Sequence, residues 1–486
     1  MIYKLRPYQE ECVKSISDYI NSDRSDPVLI VGSVGCGKSL LIAEAARLMG
    51  DKTLILQPSK ELLQQNHDKI TSYGIPATIY SASCGKKELS NMIYATLGSI
   101  KKVVDKLKEM GIRNVLIDEA HAGYSPEDGS EFMTFMNELK PKKVIGFTAT
   151  PCRLKTMSIG QVSYSQLNFI TRMRPVYFRN LIHVIQVEEM IRQGFWTPLK
   201  YETWDFNGDA LKLNSNGSEY TAGSISEAVR KNGLNNLILR RLMVLKDVCR
   251  SILVFMDSVE SCNTAAEWMN AKICAGMAEV VHGGTPKKQR EAIVERFKSG
   301  GTRVVFNYSA LGTGFDHPGL DCVIVGRPTF SFSSFYQWLG RAVRIKDGKD
   351  SALVVDCCNN SSRFGDIRKL SIENYKGYGW GMFIGDKLIT NIPMGDKVTK
   401  TDLDIKAAKK DRRRGLAQGV TAAPVPGRPD HPLGSTVMTF GKYCGWMLHS
   451  IPVSYFKFIN ETFDWDNDRN KDIKEYIDFL IKNNRL

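Results

Sequence analysis

One stretch, Gly32-Ser33-Val34-Gly35-Cys36-Gly37-Lys38-Ser39, constrains this chain more than any other. It fits G-x-x-x-x-G-K-[ST] and stands in the context that gives the pattern meaning. Before it, Pro27-Val28-Leu29-Ile30-Val31 is a short apolar, β-branched run that reads as a buried strand. After it, Leu40 to Met49 reads as a helix. A strand that bends through glycines into a helix aims backbone N–H groups and a helix N-terminus at one point, which suits a phosphate. In that frame Gly32, Ser33, Val34, Gly35, Cys36 and Gly37 form the cradle. Lys38 reaches the β- and γ-phosphates of a nucleotide, and the Ser39 hydroxyl ligates Mg²⁺.

The residues around this loop keep to a strand–helix alternation. Thr53-Leu54-Ile55-Leu56 reads as a strand, and Ser59 to Lys69 as a helix capped by Ser59 with Leu62 and Leu63 inward. Thr78-Ile79-Tyr80 and Met92 to Ala95 are further short strands. Asn114-Val115-Leu116-Ile117 then runs into Asp118-Glu119-Ala120-His121, placing two carboxylates at the carboxyl edge of a parallel sheet, where α/β ligand sites form. Asp118 suits a water-mediated hold on Mg²⁺, and Glu119 suits orienting and deprotonating a water. Val144 to Phe147 is another strand, leading into Thr148-Ala149-Thr150-Pro151. Hydroxyls of Thr148 and Thr150 at that strand end can bridge a phosphate site to a neighbouring surface. Upstream, Gln9 precedes a helix over Glu10 to Ile20; its amide can read an adenine edge or cap that helix.

With the loop, Asp118 to His121 and Thr148 to Pro151 in this order and spacing, the chain resembles a superfamily 2 helicase. The resemblance implies an α/β fold of two RecA-like parallel-sheet lobes in tandem, with ATP bound between them. A second βα series is present: strands at Ser251 to Phe255, Glu279 to Val281 and Arg303 to Phe306, helices at Val259 to Ala271 and Lys287 to Lys298. Asn307 to Asp316 resembles helicase motif V, which implies nucleotide-side roles for Gly314 and Asp316. Gln337-Trp338-Leu339-Gly340-Arg341-Ala342-Val343-Arg344 fits Q-x-x-G-R-x-x-R and resembles motif VI. Arg341 and Arg344 are three apart, so on a helix they share a face, and two convergent guanidinia suit a triphosphate. The family pattern further implies coupling roles for His121, Thr148, Thr150 and Gln337. It also implies nucleic-acid contacts near Pro58, Ser59, Thr96, Ser99, Thr285 and Ser309. Leu5-Arg6-Pro7-Tyr8-Gln9, Gly194-Phe195-Trp196-Thr197-Pro198, Gly312 to Pro318 and Gly326-Arg327-Pro328-Thr329 narrow the likeness. They resemble RadD-type helicases and the restriction-enzyme (ResIII-type) helicase subunits, a group that includes phage-encoded members. The cysteine-rich zinc module common in RadD-type proteins is missing from this sequence.

The expected organisation is a first lobe over 1–205, a second over 206–375, a basic and Gly/Pro-rich connection over 376–434 and a small accessory domain over 435–486. Within 153–205, Phe178 to Gln193 reads as helical. Asn207 to Gly223 reads as an inter-lobe loop, and Lys409 to Arg414 is a basic cluster in a linker. The terminal stretch resembles a small domain with an F-G-K-Y-x-G core, whose aromatics serve a core or a base-stacking face.

The charge of +14 and pI near 9.1 call for a polyanionic partner. The expected partner is DNA, single-stranded, forked or branched, with RNA as the other polynucleotide and a protein partner through the C-terminal domain. Eleven cysteines contain no C-x-x-C pair, which points to free thiols in a reducing compartment. With no signal-peptide core and no apolar run of ~18 residues, the expectation is a cytoplasmic protein without a membrane partner. Two rival readings stand beside an ATP- and Mg²⁺-dependent DNA helicase or translocase: an RNA helicase, and an ATP-gated clamp that recruits partners. Glu119 and Arg341 argue against the clamp, because a pure binder has no use for them.

Overall fold

The computed structural model describes residues 4–50, 52–159, 162–311, 315–407, 431–439, 443–462, 465 and 470–486. In chain order the first sheet and its helices are α1 (Pro7–Asn21), β1 (Val28–Gly32), α2 (Lys38–Met49), β2 (Thr53–Leu56), α3 (Lys60–Ser72), β3 (Thr78–Ser81), β4 (Lys86–Lys87) and β5 (Met92–Ala95). Next come α4 (Leu97–Ile100), α5 (Val104–Glu109), β6 (Asn114–Ile117), α6 (Glu131–Leu139) and β7 (Lys143–Thr148). A hairpin of β8 (Cys152–Ile159) and β9 (Val162–Phe169), the strand β10 (Asn180–Ile185) and α7 (Val187–Arg192) complete this half. The strands order as β10-β1-β7-β6-β2-β5-β3-β4, parallel except for the β3–β4 pair. β1, β2, β6 and β7 are buried at every residue, as a parallel sheet covered on both faces demands, so their sequences are nearly unbroken apolar runs.

The second sheet begins with β11 (Leu199–Thr203), followed by α8 (Ala222–Lys231), α9 (Leu234–Val248), β12 (Ile252–Phe255), α10 (Val259–Lys272), β13 (Ala278–His282), α11 (Lys287–Ser299) and β14 (Val304–Tyr308). It closes with β15 (Cys322–Val325), α12 (Phe332–Leu339) and β16 (Ala352–Asp356). Its order is β11-β16-β15-β12-β14-β13, parallel throughout. The two tandem RecA-like lobes expected from the sequence are therefore present. β11 falls inside 1–205, yet it pairs with β16 of the second sheet.

Two local readings are corrected. Phe178 to Gln193 is not one helix: Asn180–Ile185 is the edge strand β10, paired in parallel with β1, and only Val187–Arg192 is helical. The run Leu181-Ile182-His183-Val184-Ile185 is rich in β-branched residues, and the open edge of β1 accepts it. Phe178 lies against Gly146 of β7, where an added Cβ would sit 2.7 Å from its ring. The connection expected over 376–434 begins with a strand that pairs back onto the preceding segment. β17 (Leu370–Tyr375) and β18 (Gly379–Ile384) form an antiparallel pair. Gln186 holds β17 with both amide atoms, donating to the Ile372 carbonyl at 2.7 Å and accepting from its N–H at 3.1 Å.

The chain divides into two compact units, Met1–Tyr375 with Gly379–Val398, and Lys376–Tyr378 with Thr399–Leu486. In the second, helices Val453–Thr462 and Lys471–Lys482 bury Leu448, Ile451, Phe456, Ile459, Ile473, Tyr476 and Leu480 together. Of the terminal aromatics, Tyr476 and Phe456 are core, whereas Trp446 is 53% exposed. The basic cluster Lys409 to Arg414 and residues Phe440 to Lys442 lie outside the described residues. Among the described residues no helix is long and apolar enough to cross a membrane, and the eleven cysteines are free thiols.

Candidate active site

The sheet order brings the carboxyl ends of β1, β7 and β6 side by side, and each end carries one of the motifs. The loop leaving β1 turns through Gly35 and Gly37, at φ +81° and +83°, in the left-handed region where glycine carries no steric penalty. Gly37 caps α2, which puts Lys38 and Ser39 in its first turn. A Cβ on Gly37 would lie 2.6 Å from the Gln9 amide nitrogen. Gln9 braces the loop by donating to the Cys36 carbonyl at 2.9 Å, and its oxygen accepts the Arg6 N–H at 3.0 Å, capping α1. The helix-cap reading is thus realised, and the amide nitrogen is turned to the loop.

Lys38 Nζ bonds the Glu119 carboxylate and lies 3.8 Å from Asp118 Oδ1. Asp118 is held by the Glu119 N–H at 2.8 Å and by Asn66 Nδ2 at 3.0 Å. Burial pushes the Asp118 carboxyl up to about 6, against the pull of Lys38. Glu119 also feels burial, but Lys38 and His121 outweigh it and hold that carboxyl far below the usual carboxylate range. Its backbone stands at φ +46°, a strained conformation for a non-glycine residue. His121 lies 3.3 Å from Glu119 Oε2 and 2.8 Å from Thr148 Oγ1, and Thr148 Oγ1 in turn accepts the Thr150 N–H at 3.0 Å. This chain links the acidic turn after β6 to the small-residue turn after β7.

From the second lobe, Asp316, Gln337, Arg341 and Arg344 line the same cavity of about 520 Å³ as Ser33 to Ser39, Asp118 and Glu119. The arginines do not lie on a regular helix as the spacing suggested. α12 ends at Leu339, Arg341 to Val343 follow in a turn and Arg344 lies just past it. Gly340 lies at this corner: a Cβ there would come within 2.7 Å of the Val34 Cβ, so the first-lobe loop abuts it. Arg341 donates to the Phe315 carbonyl at 2.6 Å, and Arg344 forms an ion pair with Asp316. Burial lowers both guanidinia to about 10. Gly312 and Gly314 lie outside the described residues.

These groups fit a triphosphate with Mg²⁺. Two partly buried guanidinia and an ammonium on the walls gain from an anion, and a buried carboxyl at Asp118 gains from a cation. Among the described residues no cluster of three His, Cys, Asp or Glu side chains forms a self-sufficient metal site. A divalent ion here would rest on Ser39, Asp118 and the phosphates themselves.

The nucleic-acid candidates are scattered along strand ends of both lobes, and the hydroxyls of Ser59, Thr96, Ser99 and Thr285 have local partners. Ser59 caps α3 through the Leu62 N–H at 3.3 Å, next to Pro58. Thr96 donates to Ser99 at 3.1 Å, and Ser99 accepts the Ala82 N–H at 2.9 Å. Thr285 accepts the His282 N–H at 3.0 Å, and Ser309 stands at φ +54°. Arg290 of α11 comes to 3.8 Å from Glu61 of α3, joining the two rows across the lobes.

Several site residues carried no assigned role from sequence. Trp196 donates to the Val34 carbonyl at 2.8 Å, and the Tyr336 hydroxyl accepts the Val34 N–H at 3.3 Å. Phe195 lines the cavity with the Arg6 guanidinium 4.5 Å over its ring. Gly194-Phe195-Trp196-Thr197-Pro198 marked a likeness, but nothing in its composition points at a loop some 160 positions earlier.

Comparison with known proteins gives a consistent picture. Residues 2–153 match the model of the type III restriction enzyme res subunit, and 235–346 match the helicase conserved C-terminal domain. The S. cerevisiae chain IRC3, assigned as an ATP-dependent helicase, is 24% identical over 74% of this chain and 52% of its own length. A 51.5 kDa protein of a Lactococcus phage is 24% identical over 68% of this chain and 65% of its own length. The chain thus spans between about half and two thirds of these relatives. Among solved structures, an HsdR-type subunit fragment of a type I restriction enzyme from Vibrio vulnificus YJ016 aligns with TM-score 0.54 and 18% identity, covering 75% of this chain and 66% of that one. The DNA-bound Type ISP restriction-modification enzyme LlaBIII aligns with TM-score 0.53 and 14% identity over 86% of this chain and 30% of its own.

Proposed function

The chain belongs to the superfamily 2 helicases of the restriction-subunit (ResIII) type, and from that premise we propose that it hydrolyses ATP between its two lobes to move along or unwind DNA. The observation that carries the reading is one cavity walled by Lys38, Asp118 and Glu119 from one sheet and Arg341 and Arg344 from the other. Lys38 and the loop N–H groups bind the β- and γ-phosphates. Mg²⁺, when bound beside Ser39 and Asp118, neutralises charge on the phosphate oxygens. Glu119 is ionised, as a group that orients and deprotonates the attacking water must be. Its low proton affinity comes from Lys38 and His121. When Lys38 turns to the triphosphate, Glu119 loses that partner and becomes a better proton acceptor. Arg341 and Arg344 stabilise charge on the transferring phosphoryl group once they leave Phe315 and Asp316.

His121, Thr148 and Thr150 connect Glu119 with β7, and Gln337 stands between the arginine turn and a second cavity beside Asn307 and Ser309. In this reading they couple hydrolysis to a strand lying along Pro58, Ser59, Thr96, Ser99, Thr285 and Ser309. The +14 charge suits either polynucleotide, and the choice of DNA rests on the likeness to restriction enzymes, one of them DNA-bound. RNA is the second reading, since a pre-mRNA-splicing RNA helicase of Yarrowia lipolytica is 24% identical over 62% of this chain. The test is ATPase rate in the presence of single-stranded, duplex and forked DNA and of RNA, followed by strand separation on the best stimulator. Greatest stimulation by DNA supports the proposal; stimulation by RNA alone replaces it with the second reading. A rate unmoved by any polynucleotide overturns both.

A further inference from the structure

The turn that carries Arg341 and Arg344 has its backbone held from outside at three successive carbonyls. Lys349 Nζ donates to the Ala342 carbonyl at 2.7 Å, to the Arg344 carbonyl at 2.8 Å and to the Pro318 carbonyl at 3.1 Å. Between the first two, the Val343 carbonyl accepts the Thr197 N–H at 2.7 Å, and Thr197 Oγ1 donates to the Arg344 carbonyl at 2.7 Å. Regular helix would have occupied these carbonyls internally, but α12 has already ended at Leu339. A side chain with three donors on one atom suits three carbonyls that converge without helical order.

We propose that Lys349 is a positioning residue for Arg341 and Arg344, fixing their turn against the Pro318 segment so that both guanidinia reach the triphosphate. The inference rests on the arginine roles given above. Arg341 and Arg344 both bond the Phe315 carbonyl, at 2.6 Å and 3.4 Å, so the same short segment is stitched to the arginine turn twice. The arginine contacts must break for catalysis, whereas the Lys349 contacts need not. Lys349 is the pin about which the guanidinia swing, and Thr197, from the segment joining the lobes, steadies it from the other side.

Burial lowers Lys349 to about 8; Asp321 opposes the shift, and Arg344 and Lys346 add to it. His317 faces the same cluster and is itself lowered to about 4, so it is neutral in this range. Above about pH 8 the ammonium becomes an amine with two N–H donors for three carbonyls. Turnover should then fall on the alkaline side, below the range where Arg341 and Arg344 titrate.

The experiment compares Lys349→Met, Thr197→Val, Arg341→Ala and Arg341→Lys in the full chain. A displacement of ~1 Å costs a reacting group ~10²-fold, so Lys349→Met should lower kcat about 10- to 100-fold with KM for ATP within about twofold of wild type. The alkaline limb near pH 8 should vanish in that variant. Thr197→Val, nearly isosteric and lacking one bond to the turn, should lower kcat in the same direction and by less. In an Arg341→Lys background, adding Lys349→Met should cost far less than it does alone, because the residue acts through that arginine. Full additivity, or a loss expressed in KM alone, would mark a merely structural role and overturn the inference. Should Lys349→Met fail to fold, wild-type kcat in Thr197→Val overturns it instead. Wild-type turnover in Arg341→Ala would remove the arginine reading itself, whereas a dead Arg341→Ala beside wild-type Lys349→Met removes only this inference.

Discussion

The indole N–H of Trp196 donates to the carbonyl of Val34 at 2.8 Å, tying the segment between the lobes to the apex of the phosphate-binding loop. Tyr336 of the second sheet's α12 takes the Val34 N–H. One loop residue is therefore held at both backbone atoms by groups from beyond its own sheet. Under the proposed function, this couples the shape of the loop to where the second lobe stands.

That tie can be cut while an aromatic ring is kept at the position. Trp196→Phe removes one hydrogen bond of net worth ~1 kcal/mol, or about fivefold in affinity at ~1.4 kcal/mol per tenfold. We expect ATP to bind about fivefold more weakly, read by titration with a fluorescent nucleotide analogue. Unchanged affinity would show that the loop keeps its shape without the strap.

Binding and chemistry separate within the first lobe. Glu119→Gln keeps the shape and hydrogen bonding of the side chain but loses the base. It should bind ATP, fail to turn it over and remain on nucleic acid in the ATP-bound form. Lys38→Ala should lose nucleotide affinity itself. Equal failure of both variants to bind ATP would contradict the roles given to the pair.

The buried His317 gives the fold an acid-side signature. Its Nε2 lies 2.7 Å from Ser251 Oγ, and burial, then Lys298, Lys346 and Lys349, lower it to about 4. The unfolded chain takes up this proton near 6.5 and the folded chain only near 4. Stability from this residue is therefore complete above about 6.5 and is lost as pH falls through that window. His317→Gln, which can still bond Ser251, should flatten the fall of Tm between about pH 6.5 and 4. An unchanged slope would mean that other groups govern the acid limb.

Much of the molecule was legible because its chemistry is written in short, local strings. Buried parallel strands are nearly unbroken apolar runs, so β1, β2, β6, β12 and β14 stand out, and the phosphate loop and Asp118 to His121 follow β1 and β6 at their carboxyl ends. Asp118 and Glu119 could be placed for that reason. β10 was misread because Leu181 to Ile185 has the composition of an edge strand but sits directly before a genuine helical turn, and only the open edge of β1 decides between them. The arginine turn departs from the expectation because R-x-x-R also fits a helix face, and nothing in that string marks the end of α12 at Leu339. Trp196 and Thr197 carry a likeness in sequence but no sign of their partners, because Val34 and Arg344 lie far off along the chain. Lys349 is close in sequence to the carbonyls it binds, but a lysine in a polar turn gives no hint that it is half-buried.

The central claim is that hydrolysis is completed by the second lobe, and Arg341→Ala tests it most directly. Such arginines contribute ~10³–10⁵ in rate. Steady-state ATPase, measured at saturating ATP with the best stimulating nucleic acid, should fall by at least about a thousandfold. ATP binding should stay within a few-fold of wild type. Turnover near the wild-type rate in a variant that binds ATP would contradict catalysis across the two lobes.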